Sequence, residues 1–128
     1  MRIGKFDNDI LEELVLRKFQ SKRPEVITAP GVGEDCAVLD FERDDLIVLS
    51  CDPVTSAKWE NLGLLSVHVN CNDAAASGAE PVGLLVTLLV PPTMTEDQVG
   101  RIADDLSRTA AGVGVDILGG HTEVTDSV

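Results

Sequence analysis

The 128-residue chain is 44% hydrophobic and 25% charged, a balance that fits a globular domain and excludes a disordered tail, a collagen-like fibre or a low-complexity segment. Lys and Arg total 10 against 22 Asp and Glu, and the formal charge of -12 argues against nucleic acid as a partner. With one Trp, three Phe and no Tyr, the core must be aliphatic.

Residues 7–19 read as an amphipathic helix. Ile10, Leu11, Leu14, Val15 and Phe19 recur at three and four, opposite Glu12, Glu13 and Arg17, with Asp7 as N-cap. A Pro-Gly loop, Ala29-Pro30-Gly31-Val32-Gly33-Glu34-Asp35, leads to two strands, residues 36–41 and 46–51, joined as a hairpin by Glu42-Arg43-Asp44-Asp45. Residues 61–78 carry a helical stripe of Leu62, Leu65, Val69, Asp73 and Ala76. The alanine run at 74–76 and Gly78 beyond it favour a buried helix. Pro81 opens a strand over residues 82–90, which Pro91-Pro92 closes. Thr95 and Gln98 form a capping box for a helix over residues 95–111. A short strand over residues 115–118 then runs into a Gly119-Gly120-His121-Thr122 turn. The order predicts an α+β fold: one mixed four-stranded sheet with the helices packed on one face.

Cys36, Cys51 and Cys71 contain no C-x-x-C and match no zinc-finger spacing, so they read as free thiols. Residues 1–7 have no apolar signal-peptide region, and the longest apolar run is too short for a bilayer. The expectation is a cytoplasmic protein with no membrane partner.

Acidic groups recur beside the strands: Glu34 and Asp35, Asp52, Asp73 and Glu123. Carboxylates gathered at one sheet edge suit Mg²⁺ on a polyphosphate. Taken singly, each is equally a turn former or a solvated charge. Gly31-Val32-Gly33 does not complete a dinucleotide fingerprint, and no P-loop occurs. Gly119-Gly120 suits either a close ligand approach or a plain turn. His68 reads as a packed core imidazole. His121 stands open between a ligand or catalytic group and a surface residue.

Four motifs in order, however, form a pattern. Gly31-Val32-Gly33-Glu34-Asp35-Cys36-Ala37, Cys51-Asp52-Pro53, the stretch from Asn72-Asp73 through Gly78-Ala79-Glu80-Pro81, and Gly119-Gly120-His121-Thr122 together resemble the N-terminal domain of the aminoimidazole ribonucleotide (AIR) synthase superfamily. Its members include that synthase, thiamine-monophosphate kinase, selenophosphate synthetase and a hydrogenase maturation factor. The likeness covers nearly the whole chain and leans toward the maturation-factor (HypE-like) proteins. It implies an α+β domain that dimerises through its sheet, with ATP lying across the homodimer. Asp35, Asp52 and Asp73 match positions that bind Mg²⁺ on the nucleotide phosphates. Asn72 matches the Asn of an Asn-Asp pair, and Gly119, Gly120 and Thr122 match a turn against the nucleotide. This chain has His121 where many kinase and maturation members have Asp.

The resemblance implies that residues 1–128 are a single N-terminal domain, without the C-terminal domain that helps to close the family's active site. The expected function is that of an ATP- and Mg²⁺-binding module of an ATP-dependent synthetase or kinase, activating a substrate oxygen by phosphoryl transfer. On its own such a piece is expected to be inactive, completed by a C-terminal domain or maturation partner proteins. The alternative is a non-catalytic nucleotide-binding or dimerisation module.

Overall fold

A computed structural model describes residues 7–19 and 22–126. The chain divides into two compact units, Met1–Cys51 and Asp52–Val128.

In the first unit, α1 (Asn8–Leu14) and a 3₁₀ turn at Leu16–Lys18 precede β1 (Val26–Thr28), β2 (Cys36–Leu39) and β3 (Ile47–Ser50). The strands form an antiparallel sheet in the order β1-β2-β3. The expected hairpin is β2–β3, in unbroken register from Cys36 opposite Ser50 to Leu39 opposite Ile47. At its turn the Asp40 carboxylate accepts the Glu42 N–H at 2.7 Å, supporting a left-handed φ of 57° at Glu42. β1 has no counterpart among the expected elements. It is only three residues long and bulged, with Val26 opposite Leu39 and Thr28 opposite Val38, so periodicity had little to act on. The first helix is shorter than expected, breaking at Val15 (φ -122°, ψ -65°). Its stripe is uncovered: Ile10, Leu14 and Phe19 are exposed. A helix that buries no face lacks the packing that sustains most protein helices.

The second unit runs α2 (Trp59–Ala76), β4 (Gly83–Val90), α3 (Glu96–Val113) and β5 (Asp116–Val124). Both helices end as their sequences ask. Beyond α2, Gly78 takes φ 81° while its N–H and that of Ala79 donate to Ala75 and Ala74 carbonyls, each at 3.0 Å. α3 opens on the Thr95–Gln98 capping box and closes on Gly114 at φ 75°, with the Val115 N–H on the Ala110 carbonyl at 2.9 Å. β4 and β5 pair in parallel, with α3 as the crossover between them.

The core lies in this unit. Val67 of α2 and Ile102, Leu106 and Ala110 of α3 are buried together, and Leu84, Val86 and Leu88 of β4 pack against them. One face of β4 thus carries the helices, as expected. The helices approach closely at Gly63, where an added Cβ would lie 2.7 Å from Asp105 Cβ and 2.8 Å from both Ile102 O and Leu106 N.

Four expectations need correction. The described strands form two sheets, three antiparallel and two parallel, rather than one mixed four-stranded sheet. Both edges of β2 are taken by β1 and β3, and β4 pairs along its whole length with β5. Residues 119–122 are not a turn but the middle of β5: Gly119 (φ 147°) and Gly120 (φ 145°) stay extended without reversing the chain. A bulge precedes them, because Ile117 pairs with Leu84 and Gly119 with Leu85, leaving Leu118 unmatched. Finally, α2 buries the line Trp59-Gly63-Val67-Cys71 rather than the stripe through Leu65 and Asp73, and His68 is exposed rather than packed. Apolar and polar residues of α2 are not segregated to opposite sides, so periodicity does not choose its inner face; the close approach at Gly63 does.

Candidate functional site

The candidate residues divide between the units. Asp35 is exposed in the first, in the loop before β2. That loop turns at Gly33 (φ 82°), with the Glu34 N–H on the Gly31 carbonyl at 3.2 Å. Asp52, Asn72, Asp73, Gly119, Gly120, His121 and Thr122 belong to the second.

Asp52 is held by a side chain that sequence reasoning missed. The Asn70 carboxamide accepts the Asp52 N–H at 3.0 Å and donates to the Asp52 carbonyl at 3.1 Å. The same NH₂ group donates to the Ser66 carbonyl, one turn back on α2, at 3.0 Å. Asp73 follows Asn70 by three residues, so it lies on the same side of the helix, half-buried. Asn72 is exposed on α2. The α2 register therefore brings Asp52 and Asp73 to one region. The sequence signal for Asn70 is a pair of polar residues four apart, Ser66 and Asn70.

Gly120 has a structural requirement of its own. A Cβ there would overlap the carbonyl of Val86 on β4 and sit 2.7 Å from the Val86 nitrogen. Register places Gly120 and Thr122 beside Val86 and Leu88, on the helix-facing side of the sheet. There they line an open groove of about 450 Å³ with Val86, Leu88, Ala103 and Leu106. No Lys or Arg lines it, so an anionic ligand would need its charge offset by a cation. His121, which also borders the groove, pairs with Thr87 and meets the Glu123 carboxylate at 3.3 Å, both side chains exposed.

Among the described residues, no three His, Cys, Asp or Glu within either unit gather into a set that could hold a metal ion alone. Burial raises the Cys71 thiol pKa above its ordinary value. In the first unit, hydrogen bonding to Arg23 holds the Glu25 carboxyl below its ordinary range. No described helix is long and apolar enough to cross a membrane.

Residues 33–128 match the model of the family described as AIR synthase related protein, N-terminal domain. The chain belongs to that family. Within the AIR synthase related family it is 34% identical over 107 residues to phosphoribosylformylglycinamidine cyclo-ligase of Pyrococcus horikoshii, covering 77% of this chain and 31% of that protein. Against a protein of Methanocaldococcus jannaschii named for hydrogenase expression/formation it is 31% identical over 134 residues, covering 98% of this chain and 38% of the relative. Against thiamine-monophosphate kinase of Bacillus subtilis it is 26% identical over 103 residues, covering 74% and 32%. The chain thus spans about a third of the length of these relatives. Its fold matches that of AaThiL, solved in complex with AMPPCP and TMP, at a TM-score of 0.72 and 20% identity, over 98% of this chain and 41% of that one. A HypE–HypF complex matches at 0.57 and 23% identity, over 93% and 38%. The fold is therefore the α+β arrangement of the family's N-terminal domain.

Proposed function

We propose that this chain is the nucleotide-binding domain of an ATP-dependent enzyme, taking ATP with Mg²⁺ and activating a substrate oxygen by phosphoryl transfer. The observation that carries this reading is the Asn70 clamp, which holds Asp52 beside the turn of α2 that bears Asp73. It is supported by family membership and by the ATP analogue in the AaThiL structure. The donor set fits the ion. Mg²⁺ prefers oxygen ligands and is commonly held through one or two carboxylates, the remainder coming from phosphates and water. Asp52 and Asp73 of the second unit offer those oxygens, and Asp35 is the candidate of the first unit taken by itself. Bound on the phosphates, Mg²⁺ supplies neutralisation of the charge that shifts during transfer.

The chain's own residues bind and orient. Asp52 and Asp73 fix the phosphate end, Asn72 contacts the nucleotide, and Gly119, Gly120 and Thr122 provide a strand surface without bulky side chains. Positioning of the acceptor and exclusion of water fall to a C-terminal domain or partner proteins in the whole enzyme. The module works as a homodimer. On the outer side of the second sheet, Leu85 is 79% exposed and Leu89 is exposed as well, an apolar face suited to a second copy.

Titration calorimetry with AMPPCP tests the reading. Binding is expected in excess Mg²⁺ and lost in chelator, and Asp73→Asn is expected to weaken it by about tenfold, near 1.4 kcal/mol. Equal affinity with chelator and with Mg²⁺ would refute it.

A further inference from the structure

We infer that Asn70 is the positioning residue for the Asp52 carboxylate, acting on it through the backbone; this rests on the proposed role of Asp52 in holding Mg²⁺. Three observations carry the inference. The Asn70 carboxamide closes a ring with both backbone groups of one residue, accepting from Asp52 N–H at 3.0 Å and donating to Asp52 C=O at 3.1 Å. Fixing both groups of a residue fixes the direction of its Cα–Cβ bond, and so the cone its carboxylate can sweep. On the other side, Pro53 biases Asp52 toward extended backbone and away from the helical region.

The carboxamide is itself anchored, since its NH₂ also donates to the Ser66 carbonyl at 3.0 Å. The Ser66 hydroxyl in turn donates to the Leu62 carbonyl at 2.7 Å, and Leu62 packs against the core. The clamp is therefore tied to a side chain that packs against the buried cluster. Meanwhile the Asp52 side chain is exposed and makes no hydrogen bond or ion pair among the described residues, so its oxygens remain available. A backbone held on both sides with its acid left unengaged is the arrangement that positioning a metal ligand requires.

The test combines three measurements on Asn70→Ala, Asn70→Asp and Asp52→Ala. Exchange of the Asp52 amide hydrogen is expected to speed up in Asn70→Ala and to stay slow in Asn70→Asp, which keeps the acceptor oxygen. The Mg²⁺ concentration that half-saturates AMPPCP binding is expected to rise roughly 10-fold or more in Asn70→Ala, the scale usual for loss of an outer partner of a metal ligand. Asn70→Asp, which loses both donors, is expected to fall between. In the Asp52→Ala background, removing Asn70 is expected to add nothing, because its effect passes through Asp52.

Emission of Trp59, the single Trp and a neighbour of the core, reports whether the fold is kept. Should Asn70→Ala unfold, Asn70→Asp decides by the same Mg²⁺ titration. Unchanged half-saturation in a folded variant overturns the inference. So does an equal loss with and without Asp52, which would make Asn70 merely structural. Absence of Mg²⁺-dependent binding in the unaltered chain refutes the nucleotide reading instead.

Discussion

Replacing Gly63 by Ala sets two familiar effects against each other at one position. In an exposed helix interior, Gly to Ala stabilises by about 0.8–1 kcal/mol. At Gly63 the new methyl would meet Asp105 Cβ at 2.7 Å and backbone atoms of Ile102 and Leu106 at 2.8 Å. None of these can swing aside by changing rotamer, so α2 and α3 must part by roughly 0.7 Å to reach ordinary contact. A gap of that size forfeits about a quarter to a half of the attraction between facing atoms. It would open among Val67, Ile102, Leu106 and Ala110, the buried cluster itself. Overpacking of this kind costs about 1–3 kcal/mol, so it cancels or outweighs the propensity gain and Gly63→Ala is expected to destabilise by up to about 2 kcal/mol net. Gly100 on α3 has nothing within 4 Å of its would-be Cβ. Gly100→Ala should therefore stabilise by up to about 1 kcal/mol. Urea unfolding followed by Trp59 emission reads both variants. Equal shifts of the same sign would refute the close crossing as the element that sets the helix packing.

Leu85→Glu, at a position 79% exposed on the outer side of β4, is expected to turn a dimer into a monomer in sedimentation while the far-UV circular dichroism of the folded chain is kept. A stable dimer in the variant would move the interface elsewhere. For the thiols, exposed Cys51 is expected to react with a disulfide reagent faster than half-buried Cys71, whose pKa burial raises. The sign for stability follows: the Cys71 contribution is complete below the unfolded thiol value of about 8.5 and declines as pH rises toward the folded one. Stability that rises between pH 8 and 10 in the unaltered chain, but not in Cys71→Ala, would contradict this.

The elements that were legible in the sequence had ends written in side chains. α3 had its Thr95–Gln98 box and its glycine stop, and α2 had Gly78. The inner face of α2 was not legible, because Leu64, Leu65, Val67 and Val69 surround the helix and only a close neighbour distinguishes Gly63. The start of β5 is legible as a strand, but residues 119–122 read as a turn because Gly-Gly usually reverses a chain; here the pair lets two parallel strands come close, as the overlap with Val86 makes plain. Within the site, the acids were visible as residue types beside strands. Asn70 was not, since its partner is 18 residues away and a helical Asn reads by default as bonding within its own turn.

The unmatched Leu118 gives β5 an unusual tolerance of length. Side chains alternate along a strand, so losing one residue from a regular ladder inverts everything after it. Here Ile117 pairs with Leu84 and Gly119 with Leu85, so Leu118 stands outside the count. Remove it and the ladder closes in unbroken register, with Thr122 still beside Leu88 and His121 still beside Thr87. Among descendants of such a domain, a one-residue deletion at position 118 would preserve the chemistry of the groove, whereas a deletion inside β4, which has no spare residue, would turn its later side chains to the opposite face.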